Sequence, residues 1–551
     1  MRTVRARGVI AAVVAMAILP TACTGSDTGR SPAPPARAEP VVPGGTLILG
    51  ASQQPNCADW YASCGNSSWG LDMMGRQTMP RVFDVVDYDY RPTPLVVGEP
   101  VLEVGPPQKV TFRIDPRAVW SDGEPITSHD FKYSAEQGRA TGALTSPPTA
   151  VDDTDPKTAV ATWSEPAAGW RAQFNRILPS HLLEGRDRTA EMRDGYTWSG
   201  GPWIIDHWTK DQEVKLVPNP RYWGQKPYLD AVVFKIIPDA AAYLAAQKTG
   251  QVDMIFVQGV QPEVLELKGL PNTSFEARMG LTFEFITLNT TKPPLDSRAV
   301  RQALAYASDR EAIVTQLSGQ VLPGIKPAQA FMSPANKRWY SEPFARYRRD
   351  LNKVNQLMTG DGWAKGGDGV WTKGGTRARI ELNTMVGNRR RELTQEILQS
   401  QWREAGFEVT VNNTASQTLL GDWHPKGTFQ ASITGLAPST TDVNACGNFC
   451  TRFIPTEANR FQGGNFSRIS SPALDDAWEA VARELDDGKR ADLVRRANEV
   501  LAEEVPVIPL APVLDIVAYN NVKVGGPVTT DPGGAFSRIN EWYCRASSCR
   551  S

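Results

Sequence analysis

Seven cysteines are the residues of this 551-residue chain with the most distinctive chemistry. Six of them form close pairs in the sequence, so each pair could close a small loop through a disulfide. Paired cysteines are typical of a protein that folds in an oxidising compartment outside the cytoplasm. We predict the disulfides Cys57–Cys64, Cys446–Cys450 and Cys544–Cys549, although other pairings of these six residues stay open.

The seventh cysteine, Cys23, follows a segment that is typical of a secretory signal. A basic start and a short apolar run over residues 9–19 lead through small residues to this cysteine. The end of the segment resembles a bacterial lipobox, with Pro20 where the lipobox has leucine. We expect residues 1–22 to be a signal peptide and residues 23–43 to be a lipid anchor and flexible tether, lipidated at Cys23. An ordinary signal without a lipid is the alternative.

Metal binding and catalysis are not favoured by the sequence. The chain has four histidines, and none stands at a metal-binding distance from another along the sequence. The motifs of serine hydrolases, zinc proteases and phosphate-binding loops do not occur. Lys and Arg number 59 against 60 Asp and Glu, so no overall field attracts nucleic acid. We expect a protein that is not an enzyme, without metal or other cofactor and without a nucleic-acid partner.

Helical and strand patterns alternate along the chain, which predicts an α/β or α+β protein with more than one lobe. Residues 46–49 form an apolar run that predicts a buried strand. A helix is predicted over residues 127–137 with Ser128 as its N-cap. Apolar spacing predicts further helices over residues 296–317 and over residues 473–504, the second with a break near residues 486–488.

Several segments together resemble the family 5 solute-binding proteins of ABC importers, which include oligopeptide- and dipeptide-binding receptors. The segment Trp120-Ser121-Asp122-Gly123 opens the stretch that is most similar to this family. We interpret these residues as a structural turn rather than as ligand contacts. The matching stretches follow in the family's order over most of the chain: residues 120–131, 201–203, 217–223, 288–310, 471–475 and 504–510.

The resemblance implies an α/β fold of the periplasmic-binding-protein type (the large, cluster C type), with two lobes and an extra domain on one of them. The lobes would close over a ligand like a hinge. By the same resemblance, lobe I comprises residues 44–70, 196–288 and 513–551. The extra domain comprises residues 71–195, and lobe II comprises residues 289–512.

The function implied by the resemblance is that of an extracytoplasmic receptor. It would deliver a small ligand, best an oligopeptide, to an ABC permease and its ATPase. A monomer held on the outer face of the cell membrane only by its N-terminal lipid is expected. A receptor for a saccharide, a chelated metal or another small molecule is an alternative, as is a sensor or chaperone that does not serve transport.

The resemblance also places the ligand site. In the family, the loop after the first strand contributes, which here contains Gln53. A strand end followed by an aromatic residue and an aspartate contributes as well, and this strand end corresponds to Gly435, Leu436 and Ala437. Leu436 stands where the peptide receptors have tryptophan.

The aspartate that binds the peptide's ammonium group in the family is replaced here by Ser439. A buried ammonium group without a carboxylate is unfavourable, so we predict that Asp442 provides the negative charge instead. Another aromatic residue of the cleft is replaced by Gln417. Trp69, in an aromatic loop near the first strand, would suit stacking on a sugar or another ring of the ligand, and a place in the core is the equal alternative.

Overall fold

A computed structural model describes residues 41–549, except residues 66, 87, 145, 259–261, 437–442, 530–533 and 546–548. The predictions for Cys23, for the signal and nearly all of the tether, and for Ala437 and Asp442 lie outside the described residues. Across the ranges that are described, no helix combines the length and the apolar character that a membrane crossing requires.

A ten-stranded sheet is the largest element of the structure. Its members are β1 Thr46–Ala51, β2 Trp203–Thr209, β3 Glu213–Pro218, β4 Ala231–Ile236, β5 Met254–Gln258, β6 Thr273–Leu288, β7 Arg379–Asn383, β8 Glu408–Val411, β9 Ala431–Leu436 and β10 Val507–Asn520. The order across the sheet is β8-β7-β9-β6-β10-β5-β1-β4-β3-β2. β1 is parallel to β4 and β7 is parallel to β9, while β6 runs antiparallel to both β9 and β10.

β6 and β10 are the two longest strands of this α/β fold. The first part of β6 pairs with the last part of β10 beside β5, and the last part of β6 pairs with β9. The register between the two strands shifts between Met279 and Phe283, and again before Phe285. Such shifts bend and twist a sheet locally.

Eight helices of nine or more residues are present among the described residues. They are α1 Ser128–Thr141, α2 Ala240–Lys248, α3 Arg298–Ala307, α4 Arg310–Ser318, α5 Leu351–Gly360, α6 Arg389–Glu404, α7 Pro472–Arg483 and α8 Asp487–Glu504. Shorter strands complete the structure: Phe83–Val86 with Asp89–Pro92, Ala364–Lys365 with Trp371–Lys373 and Thr376–Arg377, and Val524–Gly525 with Tyr543–Cys544.

A separate four-stranded sheet comprises Val101–Glu103, Gln108–Arg113, Thr158–Trp163 and Ala150–Asp155, and α1 lies against two of its strands. It has its own hydrophobic cluster, which includes Phe112, Trp120 and Phe131. Trp120 is fully buried and its indole donates to Asp130, while Gly123 has φ 105°. This agrees with a structural turn at the segment that begins at Trp120.

Most of the predicted elements agree with the structure, and two predictions are wrong in detail. The helix predicted from residue 127 begins at Ser128, but its N-cap is Thr127, because the side chains of Thr127 and Asp130 form a capping box. The helix predicted over residues 296–317 is two helices. The first helix, α3, ends at Ala307. Asp309 then begins the second helix, because its carboxylate accepts a hydrogen bond from the backbone N–H of Ala312 and so caps α4.

The structure contains the three disulfides that the spacing favours. Cys57–Cys64, Cys446–Cys450 and Cys544–Cys549 are formed with sequence separations of 7, 4 and 5 residues. All six cysteines lie inside the hydrophobic core or at its edge. Each bridge therefore fixes one local loop rather than joining distant parts of the chain.

Candidate functional site

A cavity of about 110 Å³ lies beside the last residues of β9. Since β7 and β9 are parallel, their carboxyl ends meet at the same edge of the sheet, where open α/β sheets bind ligands. Gly435 and Leu436 both line the cavity. Its other walls come from β6, from the helical segment 416–426 and from the disulfide-closed loop 446–450.

Several aromatic side chains form part of the cavity wall. Phe331 lies 4.9 Å from Phe285 and 4.6 Å from Phe449, measured between ring centroids, and both contacts are edge-on. Leu420 also lines the cavity, and it is 43% exposed, so the wall reaches solvent at this residue. A surface of this composition favours an apolar group of a ligand.

His424 is the histidine that this cavity wall contains. Its side chain is 1% exposed, and its Nε2 lies 3.0 Å from the Ser432 hydroxyl. Its Nδ1 has no hydrogen-bond partner among the described residues. Burial lowers the pKa of His424 to about 4, so the imidazole is neutral at pH 7.

The other face of β9 carries a buried group of charges. Glu284 of β6 is the cross-strand partner of Gly435, and its carboxylate accepts hydrogen bonds from Arg390 at 2.8 and 3.1 Å and from Arg391 at 2.6 Å. Burial acts to raise the pKa of Glu284, but the two guanidinium groups outweigh it and hold that pKa below its usual value. One carboxylate against two guanidinium groups leaves a net positive charge here.

Because residue 435 is glycine, the guanidinium group of Arg391 can lie close to the backbone of β9. A Cβ atom on residue 435 would lie 2.7 Å from Nη2 of Arg391, which is closer than carbon and nitrogen can pack. Arg391 also donates to the sulfur of Met385 through Nη1, and within the described part of the chain its Nη2 has no acceptor. The end of β9 therefore separates an apolar cavity from a positively charged cluster.

The carboxyl group of Asp515 lies near the register shift between β6 and β10. It accepts a hydrogen bond from Gln258, and a Cβ atom on residue 280 would lie 2.4 Å from one of its oxygens. Burial raises the pKa of Asp515 to about 6, and the charge of Asp72 adds to this shift. No described cation forms an ion pair with it.

The structure brings together some of the predicted ligand residues and not others. Gly435 and Leu436 lie at the cavity. Gln53 and Gln417 are exposed, and neither lines the cavity. Trp69 is 8% exposed and packs against Phe256 and Phe536 with ring centroids 5.8 and 6.0 Å apart, which leaves little of its ring surface for a ligand.

His424, Leu420 and Phe331 are cavity residues that the sequence did not reveal. They belong to three segments that are far apart along the chain, and their neighbourhood depends on the fold. For His424, the sequence pattern was only weakly informative. This histidine has no second histidine at metal-binding spacing, and such an isolated histidine can be a buried side chain. No group of three or more metal-binding side chains occurs among the residues described.

Comparison with known proteins identifies the family. Residues 103–450 match the family model described as bacterial extracellular solute-binding proteins, family 5 Middle. The chain belongs to this family. Its members are extracytoplasmic binding proteins, and the homologues of this chain are likewise binding proteins rather than enzymes.

Individual relatives agree with the family. The oligopeptide-binding protein AppA of Bacillus subtilis is 25% identical over 457 residues, which cover 78% of this chain and 80% of that protein. The fold matches the periplasmic EDTA-binding protein EppA with a TM-score of 0.82, at 22% identity and over 93% and 98% of the two chains. It also matches AppA in complex with a nonapeptide, with a TM-score of 0.74, at 20% identity and over 92% and 100% of the chains.

Proposed function

We propose that this protein is the receptor of an ABC importer and captures an oligopeptide in the cleft beside the end of β9. The observation that carries the proposal is the cavity at the carboxyl end of β9, in a chain whose family binds solutes outside the cytoplasm. The receptor delivers the peptide to an ABC permease and its ATPase. A peptide is the proposed ligand because the relative AppA is named for oligopeptides.

Closure of the two lobes is the proposed mechanism of capture. β6 and β10 lie side by side near the proposed lobe boundaries at residues 288 and 513, and their register is interrupted between Met279 and Phe283. We propose that a few residues at this interruption absorb the backbone change of a hinge. A ligand that contacts both lobes stabilises the closed form by its extra contacts there.

The chemistry of the cleft suits the parts of a peptide. The backbone at the end of β9 can pair with an extended peptide, and the cavity can receive one of its side chains. Nη2 of Arg391, which has no acceptor among the described residues, suits the peptide's carboxylate. Asp442 remains our predicted partner for the ammonium group, and Gln53, Gln417 and Ala437 remain predicted contacts at the rim.

A carboxylate-bearing chelate is the second candidate ligand. The cluster of Glu284, Arg390 and Arg391 carries a net positive charge next to Gly435, which favours an anion. The structural relative EppA is named for EDTA, a chelator with several carboxylates.

The topology at the membrane is proposed from the sequence alone. Residues 1–22 act as a signal peptide, and Cys23 carries a lipid that holds a monomer to the outer face of the membrane through the tether that ends at residue 43. The proposed lobes are residues 44–70, 196–288 and 513–551 for the first and 289–512 for the second. Residues 71–195 form the extra domain.

A thermal-shift screen of the oxidised protein tests the ligand class. Di- to hexapeptides, oligosaccharides and chelated metals are compared, and a ligand at 100 times its Kd adds about 2.7 kcal/mol to the free energy of unfolding. We expect stabilisation by peptides and its loss in Leu420→Asp at the cavity. Val522→Asp is the matched control, since Val522 is similarly exposed at 49% but does not line the cavity. Stabilisation by chelates alone would mean that the ligand is a chelate rather than a peptide. Stabilisation by none of the three ligand classes would contradict the receptor function.

A further inference from the structure

The cavity beside the end of β9 has the volume of one side chain rather than of a whole solute. It measures about 110 Å³. An engineered apolar cavity of about 150 Å³ in another protein binds benzene, so a single ring is near the upper limit of this space. The larger indole ring of tryptophan exceeds that limit.

The wall of the cavity offers apolar surface without a charge. Four phenylalanines and two leucines line it: Phe285, Phe331, Phe449, Phe466, Leu420 and Leu436. No charged side chain lines it among the described residues, and its histidine, His424, is neutral at pH 7 because burial lowers its pKa. A lysine, arginine, aspartate or glutamate side chain would lose its hydration here without gaining a counter-charge. An apolar side chain would instead gain by leaving water.

The two leucines of this wall have exposed surface and mark the entrance of the cavity. Leu436 is half-buried and ends β9 at the carboxyl edge of the sheet, where the parallel strand β7 also ends. Leu420 is 43% exposed and lies in a π-helical turn, Leu419–Trp423. Such turns occur frequently at functional sites. The cavity therefore meets solvent at the edge of the sheet where the proposed function places the peptide.

The inner wall is held in place by contacts outside the cavity. The backbone N–H of Phe331 donates to Asn498 at 2.9 Å, and Asn498 is fully buried. Phe449 belongs to the loop closed by Cys446–Cys450, and its ring stacks on that of Trp478 with centroids 6.5 Å apart. A closely packed wall of this kind does not widen without cost. The volume of the cavity therefore sets an upper limit on the side chain that can enter it.

We propose that the cavity is a specificity subsite that accepts one apolar side chain of the peptide, no larger than that of phenylalanine. This inference rests on the proposed function, since it names the peptides that the same site prefers. Leucine, methionine and phenylalanine side chains fit the subsite. Charged side chains are excluded by the cost of their desolvation, and tryptophan is excluded by its size.

Hexapeptides of alanine that differ at a single position test the subsite. That position carries leucine, phenylalanine, tryptophan, lysine or glutamate in turn, it is moved along the peptide, and Kd is measured by calorimetry. At the position that occupies the cavity, we expect the leucine and phenylalanine peptides to bind about tenfold more tightly than the alanine peptide. The lysine and glutamate peptides should bind about 100-fold more weakly than the leucine peptide, and the tryptophan peptide about tenfold more weakly than the phenylalanine peptide.

Leu436→Trp tests the subsite from the side of the protein. The larger side chain fills the entrance, so we expect the preference for leucine over alanine to fall to about twofold or less. Val411→Trp is the matched control and should keep the preference. Val411 ends β8 at the same edge of the sheet, is 44% exposed and does not line the cavity. The Tm of each variant without peptide shows whether it is folded.

Phe466→Ala changes the size limit in the opposite direction. Phe466 is half-buried, so its truncation should be tolerated by the fold, and the cavity gains the volume of a ring. In this variant we expect the tryptophan peptide to bind about as tightly as the phenylalanine peptide. Phe461→Ala is the matched control and should still reject tryptophan, because Phe461 is 36% exposed and does not line the cavity.

The outcomes separate the subsite from the receptor function. Equal affinity for all side chains at every position, or a preference that neither Leu436→Trp nor Phe466→Ala alters, would overturn the subsite and leave the receptor. Binding of no peptide would contradict the peptide receptor itself. The subsite is then judged by the ¹³C methyl signals of Leu420 and Leu436 with benzene against benzylamine, which carries a charged ammonium group. A shift with benzene alone supports the subsite, whereas equal shifts or no shift overturn it.

Discussion

Asp515 shows how a single carboxyl group can make stability depend on pH. Its pKa is raised from 3.8 to about 6, first by burial and then by Asp72. Between pH 4 and pH 6 the folded protein holds a proton that the unfolded chain releases. The contribution of this group to the free energy of unfolding is therefore most favourable below pH 4, and it decreases as the pH rises to 6.

Replacement of the Asp515 carboxyl group by an amide should remove this dependence of stability on pH. We expect Asp515→Asn to raise the free energy of unfolding by about 1–3 kcal/mol at pH 7.5 and to leave it unchanged near pH 4. Urea unfolding at the two pH values measures the difference. Asp492→Asn, on the exposed side of α8, should have little effect at either pH. A loss of stability in Asp515→Asn at pH 7.5 would mean that the ionised form supports the fold.

Glu284 is expected to be the most sensitive residue of the charged cluster. Its side chain is 1% exposed, and Glu284→Gln leaves Arg390 and Arg391 buried without a counter-charge. Loss of one partner from a buried ion pair costs about 3–5 kcal/mol, which equilibrium unfolding would detect. Glu396→Gln on α6 removes an exposed partner of Arg389 and should cost less than about 1 kcal/mol. Equal effects of the two substitutions would contradict the assigned role of Glu284.

At the scale of elements, the loop closed by Cys446–Cys450 forms one wall of the cavity. A disulfide over so short a loop contributes about 2 kcal/mol through the entropy of the unfolded chain. We expect Cys446→Ser with Cys450→Ser to lose about this free energy of unfolding and also to weaken peptide binding, because Phe449 loses its fixed position.

The disulfide Cys544–Cys549 provides the matched control for that prediction. Its sequence separation is 5 residues against 4, so the same entropy argument gives a nearly equal loss of stability. It does not line the cavity, so its double serine variant should keep wild-type affinity in the same calorimetric titration. Equal losses of affinity in both variants would point to general loosening of the fold.

Local patterns predicted many elements but not the composition of the site. The apolar run at residues 46–49 lies in β1, and the predicted break near residue 486 separates α7 from α8. Gly435 and Leu436 were found through a family motif. His424 and Phe331 come together only when the helical segment 416–426 and the chain before α5 pack on β6 and β9, and no short-range signal encodes that packing.

For the whole molecule, lobe closure is a measurable expectation. A saturating peptide should decrease the radius of gyration in small-angle scattering, because contacts to both lobes favour the closed form. Leu420→Asp, which loses the peptide, should show no decrease at the same peptide concentration. An unchanged radius of gyration in a protein that calorimetry shows to be saturated would contradict closure.

The place of β10 in the sheet has a consequence for biosynthesis. β10 pairs with β6 on one side and with β5 on the other, and it is the strand that joins the two halves of the ten-stranded sheet. It is also the last of these ten strands to leave the ribosome, since it begins at Val507. Until then the growing chain lacks the strand that would connect its two half-sheets. Assembly of the complete ten-stranded sheet therefore waits until nearly the whole chain has been synthesised.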